Sequence, residues 1–244
     1  MPSYVEFAPP PRLAEWVECF WVMRHSADST VSHRVLPDGC ADIIFAAGLG
    51  KSTLQVIGAM TQFQDVGMSS TQLLVGLRFH PGMWASQIGV EGDLITDRQS
   101  ALEEFWGKRA RALSARMENA RTSDQCVSLL AESIGNNPAV TPLQRALAWM
   151  RAHRGVVALD EVANQSGLSP RQFRRLCRQQ TGLSPKLLAR ILRFRYALSR
   201  LRDERGDHAG LAADCGYFDQ SHFIADFQRF SGRSPAVFCR NRAT

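Results

Sequence analysis

The 244-residue sequence predicts an α+β protein of two domains: a β-rich, barrel-like amino-terminal domain with a helical extension, followed by an all-α domain. Three observations predict it. Short apolar runs punctuated by Pro, Asp and Gly fill residues 32–82. Helical periodicity replaces them after His80, and two stretches near the end of the chain repeat each other. Charge divides the same way: residues 1–140 carry 11 Lys+Arg and 15 Asp+Glu, whereas residues 141–244 carry 18 and 8.

In chain order, "LAEWVECFWVMRH" fits a further strand or a short helix, and its periodicity does not decide between them. "HRVLPDGCADIIFAAG", "STLQVIGAM" and "TQLLVGLRFHPG" read as strands. No helix separates them, which suits a small barrel or sandwich better than a parallel sheet. Next, "PGMWASQIGV", "SALEEFWG", "KRARALSARMENA" and "TSDQCVSLLAESI" read as consecutive helices, three of them opened by Pro, Ser or Thr. "GNNPAVTP" at 135–142 is rich in turn residues and coincides with the change of charge. The domain boundary belongs there, giving domains 1–137 (β-rich over 1–82, helical over 83–134) and 138–244.

The repeat lies in the second domain. "VANQSGLSPRQFRRLCRQQTGLSP" and "LAADCGYFDQSHFIADFQRFSGRSP" superpose with one extra residue in the second turn, matching Gly167 to Gly216, Phe173 to Phe223, Cys177 to Phe227, Gly182 to Gly232 and Pro185 to Pro235. Each copy is a short helix, a Gly-containing turn and a second helix, the helix-turn-helix pattern. Between them "PKLLARILRFRYALSRLRD" forms one long helix with an apolar seam at Leu187, Ile191, Phe194, Leu198 and Leu201. In the first copy, Ser169-Pro170 starts the second helix and Gly182 stops it. Phe173, Leu176 and Cys177 mark its core face, while Arg171, Arg174, Arg175 and Arg178 recur at helical spacing on another face. No acidic residue between 162 and 202 neutralises them.

Such a face suits nucleic acid, because phosphate neutralisation supplies sequence-independent affinity and a helix fits the major groove. Arginine's planar fork can take both acceptors of guanine or grip a phosphate. The expected DNA-contacting residues are Ser169, Arg171, Gln172, Arg174, Arg175 and Arg178 in the first copy. In the second copy they are Gln220, Ser221, His222 and Arg229. Arg171, Arg174 and Arg175 would meet bases and Arg178 a phosphate. The second helix is less basic, and Asp226 would repel phosphate if it pointed outward.

Other functions find less support. The apolar runs are too short for a membrane span, and "MPSYVEFAPPPRL" lacks the pattern of a secretory signal, so the expected location is the cytoplasm. Six dispersed cysteines without a C-x-x-C pair read as free buried thiols. No nucleophile elbow, phosphate loop or zinc-protease motif appears, so neither catalysis nor a cofactor is expected. His25, His33 and His80 with Cys40 or Asp42 do not fall at spacings that force a metal site. Asp38-Gly39 after Pro37 is first a turn, and Trp16, Phe20, Trp21, Phe45, Phe79 and Trp84 are first core residues rather than an effector pocket.

On "LDEVANQSGLSPRQFRRLCRQQTGLSP" and "GLAADCGYFDQSHFIADFQRFSGRSPAVF", residues 142–240 resemble the DNA-binding domain of the AraC/XylS family of bacterial transcription regulators. Ala225 stands where that family often has a basic residue. The resemblance implies a sequence-specific regulator, more usually an activator, that places two recognition helices in successive major grooves. Double-stranded promoter DNA and RNA polymerase are the implied partners. "LPDGCADIIF", "GAMT" and "GLRFHPG" resemble the small sensor domain of one subgroup, related to cupin-like barrels, over roughly residues 5–100. That implies a regulatory role for the first domain, with a small-molecule effector and a homodimer through residues 101–134 as open possibilities. Two alternatives stay beside this reading: a cupin-like metal-dependent enzyme tethered to DNA, and a ligand-independent DNA-binding protein.

Overall fold

A computed structural model describes residues 3–25, 31–48, 50–68, 72–135, 140–201 and 208–240. Residues 136–139, at the expected domain boundary, lie outside them.

The β-rich layer is there, as an open antiparallel sheet. Its strands are β1 (Ser3–Phe7), β2 (Val17–His25), β4 (Ala41–Gly48), β5 (Lys51–Ile57), β7 (Gln72–Phe79) and β8 (Gln99–Ala101), in the order β1-β2-β7-β4-β5-β8. The remaining two, β3 (Val31–Val35) and β6 (Gln64–Met68), form a separate antiparallel ribbon. The sheet does not close, since β1 and β8 are its edges. Alternation explains its inner face: Phe20, Val22, Ile43, Phe45, Val75 and Leu77 are buried on neighbouring strands, with Phe20 and Ile43 both opposite Leu77.

The ambiguous segment after Leu13 resolves as a strand, because Val17–His25 pairs along both sides, with β1 and with β7. The helical extension is more broken than its periodicity predicts. Helix α1 (Ala85–Ile88) is a single turn ended by Gly89 in the left-handed region, and α2 (Gly92–Ile95) follows it unforeseen. "SALEEFWG" opens as strand β8, because Ser100 pairs with Val56, and only Glu103–Trp106 form helix α3. The longer helices α4 (Lys108–Glu118) and α5 (Ser123–Ser133) match expectation, and Thr122 caps α5 by accepting from the Gln125 N–H. Their Leu113, Met117, Cys126 and Leu130 complete the core over the sheet. Trp16, Phe20, Phe45, Phe79 and Trp84 lie in that core, as expected, and Trp21 packs with Cys19 and Met23 on the other side.

The second domain holds α6 (Pro142–Ala152), α7 (Leu159–Gln165), α8 (Pro170–Thr181), α9 (Pro185–Arg200), α10 (His208–Asp214), α11 (Gln220–Ser231) and α12 (Pro235–Arg240). The repeat is physical: Phe173, Phe223, Cys177 and Phe227 are each at most 1% exposed. The seam of α9 is displaced slightly, with Leu188 fully buried and Leu187 half-buried.

The two domains share packing. Ala59 and Leu36 of the first join the core of the second, and the Gln144 amide donates to the Gly82 carbonyl at 3.5 Å. A side chain at Gly39 would collide with Leu188 of α9 at 2.7 Å. The Pro37-Asp38-Gly39 stretch is therefore a turn, as expected: Asp38 accepts from the Cys40 N–H at 2.9 Å, and the turn is also a docking point for the helical domain.

Candidate nucleic-acid interface

The sequence of α8 fixes its two ends. Ser169 caps the start, accepting from the Gln172 N–H, while the Gln172 side chain accepts from the Ser169 N–H at 3.0 Å. Pro170 occupies the first turn, where its missing N–H costs nothing. At the other end Gly182 adopts φ +76, and its N–H returns to the Arg178 carbonyl. Helix α11 repeats the scheme, with Asp219 accepting from the His222 N–H at 2.7 Å and Gly232 at φ +71.

Between these ends the buried face of α8 is Phe173, Cys177 and Thr181. Burial pushes the Cys177 thiol up to about 12, partly offset by the Thr181 hydroxyl, so this cysteine is an uncharged core residue. Arg171, Arg174, Arg175 and Arg178 are all exposed. Arg174 Nε donates to the Pro170 carbonyl at 3.1 Å, and Arg175 donates to Gln179 at 2.8 Å. Among the described residues no carboxylate pairs with Arg171, Arg174 or Arg175. Arg178 has only Asp93 of α2, at 4.0 Å.

The arginines of α4 show the contrast. Arg116 pairs with Glu132 at 2.8 Å and Arg111 with Glu103, so two of its three arginines are neutralised, and Arg109 donates to the Ser133 carbonyl. The α8 face is positive without such neutralisation, the electrostatic condition for a polyanion.

On α11, Gln220, Ser221, Ala225, Gln228 and Arg229 are exposed, whereas His222 is half-buried, edge-on to Tyr217 at 5.4 Å. Asp226 does not point outward. It is fully buried, and Arg190 of α9 donates to it from Nε at 3.1 Å and also from Nη2. Most of the expected contact residues thus share the exposed faces of two equivalent helices. Ser169 and Gln172 are exposed as well, though their side chains already serve the cap, and His222 is partly covered.

Sequence reading missed how the first domain touches these helices. The carboxy-terminal end of each one is docked on it. The Thr96 hydroxyl lies 3.0 Å from the Gly182 carbonyl and 3.0 Å from that of Gly92. At the other copy, Arg34 Nη1 donates to the Ser231 carbonyl at 3.1 Å while pairing with Asp65 at 2.6 Å and lying over the Phe63 ring. Side chains at Gly182 or Gly232 would collide with Thr96 or Phe63 respectively. Nothing local in the sequence links Arg34 to residue 231.

Within the first domain, a cleft of about 690 Å³ opens between the sheet and α4–α5, lined by Arg24, Phe45, Leu73, Met117, Glu118 and Arg121 among others. Arg78 is held between Asp38 and Asp42, each at 3.3 Å, and Trp21 donates to Asp42 at 2.8 Å. Among the described residues, no group of three or more His, Cys, Asp and Glu could hold a metal ion, and no helix is long and apolar enough to cross a membrane.

Residues 5–101 match a family described as a domain of unknown function (DUF6597), and residues 162–241 match the helix-turn-helix domain family. The HTH-type transcriptional activator RhaS of Klebsiella pneumoniae (strain 342) is 37% identical over 109 residues, 44% of this chain and 38% of that protein. The RhaS protein of Escherichia coli O157:H7 is 36% identical over the same shares. The chain thus matches less than two-fifths of the length of these curated relatives. Among solved structures, the DNA-binding domain of AdpA in complex with a target DNA is 27% identical, covering 42% of this chain and 95% of that one, with a TM-score of 0.40. ToxT from Vibrio cholerae is 12% identical, covering 90% and 96%, with a TM-score of 0.43.

Proposed function

We propose that the chain carries a double helix-turn-helix domain of the AraC/XylS type and is a sequence-specific, DNA-binding transcription regulator. Helices α8 and α11 enter successive major grooves on one face of the duplex. The observation that carries this reading is that Arg171, Arg174 and Arg175, exposed on α8, have no carboxylate partner among the described residues, on a helix repeated in kind by α11. Arg171, Arg174 and Arg175 read bases in the first groove, and Arg178 exchanges its distant Asp93 for a phosphate. Gln220, Ser221 and Arg229 face the second groove, where neutral side chains supply less of the affinity.

Residues 1–137 act as the regulatory domain and 138–244 as the DNA-binding domain. Activation, the role that the name of the relative RhaS carries, is the proposed sign, exerted through RNA polymerase. A DNA-binding regulator of this kind works in the cytoplasm and performs no chemistry of its own. An effector and a homodimer, where they exist, act through the first domain.

Selection of binding sites from random duplex DNA by the full-length protein, at near-physiological salt, tests this. Two short sequence blocks about ten base pairs apart are expected. Binding that is salt-sensitive but selects no sequence would sink the proposal.

A further inference from the structure

The repeat holds one residue whose placement the domain's packing does not explain. The first copy turns through Gly167-Leu168 into the cap Ser169, whereas the second turns through Gly216-Tyr217-Phe218 into the cap Asp219. Leu168 is half-buried against the helical core. In the second copy the core position is taken by Tyr217, 6% exposed, with its ring 5.3 Å from that of Phe223. Ordinarily the residue just before the cap packs against the fourth helical residue, which here is Phe223. Tyr217 has filled that role from one position earlier, and Phe218 is left over.

It is 93% exposed, far more than Tyr4, Val5, Val66, Leu94 or Val156, the other exposed large apolar residues among the described ones. A lone exposed apolar side chain is ordinary on a protein surface. The position of this one is not. It immediately precedes the cap of α11, next to exposed Gln220 and Ser221, and the amino-terminal residues of a recognition helix are those that approach base edges. The helix around it offers a groove little charge, since its first turn, Gln220-Ser221-His222, carries no Lys, Arg, Asp or Glu beyond the cap Asp219. An apolar contact suits such a face, and the apolar feature of the major groove is the C5 methyl of thymine.

We propose that Phe218 is a specificity-determining residue that packs on the C5 methyl of a thymine in the half-site read by α11. This rests on the DNA-binding reading above and adds the base identity to it. Burying the ring only in the complex strengthens binding where the methyl is present, by about tenfold.

The experiment compares wild-type protein with Phe218→Ala on the selected site, in duplexes where each thymine is replaced in turn by deoxyuridine, which lacks only that methyl. An exposed ring contributes little to the fold, so both proteins should melt at the same temperature. Expected is one thymine whose replacement weakens the wild type about tenfold and leaves Phe218→Ala unaffected, with the variant itself about tenfold weaker on the unmodified site. Identical thymine profiles for the two proteins would overturn the proposal, whether affinity is unchanged or falls equally on all duplexes. So would a variant that binds DNA normally but loses self-association, because the ring would then face protein. Absence of any sequence preference in the wild type would be the separate failure of the DNA-reading function itself.

Discussion

Arg190 of the connecting helix α9 and Asp226 of the recognition helix α11 form an ion pair in which the carboxylate is buried and the guanidinium remains partly open to water, with side-chain exposures of 1% and 23%. The pair orients α11 on the helix that joins the two repeats, so it fixes the spacing between recognition helices as much as it stabilises either. Its two halves are unequal. Arg190→Ala strands a buried carboxylate, with His222 Nε2 at 3.8 Å as its other ion-pair contact among the described residues, and should cost about 3–5 kcal/mol of unfolding free energy. Asp226→Ala leaves a guanidinium that can rehydrate and should cost less. Paired replacement by apolar residues of similar volume should recover most of the loss. Urea unfolding of the three variants checks this, and equal costs for the two single changes would contradict the burial argument.

Gly182 and Gly167 share the left-handed backbone, at φ +76 and +68, but not the same surroundings. Nothing lies within 4 Å of a side chain built on Gly167, whereas one on Gly182 would meet Thr96 Oγ1 at 2.1 Å and the Gly92 carbonyl at 2.8 Å. Alanine at either should cost about 1–2 kcal/mol for the backbone alone. Gly182→Ala should lose about 1–3 kcal/mol more, because it also forces α2 away from the end of α8. Thermal unfolding of the two variants measures the difference, which vanishes if the domains do not dock through this glycine.

Much of the second domain is legible in its sequence, and the reasons are local. The Ser-Pro start of α8, the Gly stop and the 3.6-residue spacing of Phe173 and Cys177 depend only on neighbours within a turn or two. The same rules deliver the arginine face, since the core side of a helix dictates what is left outside. They fail where tertiary partners decide. Ser100 looks like a helix start until Val56 offers it a strand edge, and Asp226 looks like a repellent charge until Arg190, 36 residues earlier, buries it. The contacts of Arg34 with Ser231 and of Thr96 with Gly182 join residues 197 and 86 positions apart, beyond any periodicity.

His80 carries a pH dependence. Its ring is largely buried near Arg151, and both the burial and that charge hold its pKa down to about 4, only partly offset by a hydrogen bond with the backbone of Ala14. The unfolded chain takes up a proton near pH 6.5 that the folded protein refuses until about 4. Stability from this group is therefore fully present above pH 6.5 and falls progressively as the pH drops toward 4, by about 3 kcal/mol in all. His80→Phe should remove that component, so that the difference in unfolding free energy between variant and wild type shifts in the variant's favour between pH 7.5 and pH 4.5. Parallel pH profiles would show that His80 titrates as freely in the fold as out of it.

The arginines of α8 separate by position along the helix, and DNA binding should separate them by kind. Arg171, Arg174 and Arg175 lie in the first two turns, where a recognition helix meets base edges, while Arg178 lies a turn later beside Asp93. Loss of a bidentate base contact costs about 1–3 kcal/mol on the preferred sequence and little on others, so Arg174→Ala or Arg175→Ala should flatten the preference at one half-site. Loss of a phosphate contact weakens every sequence alike and lowers the salt dependence by about one counterion, the behaviour expected of Arg178→Ala. Because the Asp93 carboxylate competes for Arg178 in the free protein, Asp93→Asn should strengthen binding slightly on all sequences and do nothing in the Arg178→Ala background. Titrations of matched and mismatched duplexes at several salt concentrations distinguish the two classes. A uniform loss for Arg174→Ala and Arg175→Ala would move the whole arginine face to the phosphate backbone and leave α11 to read the sequence alone.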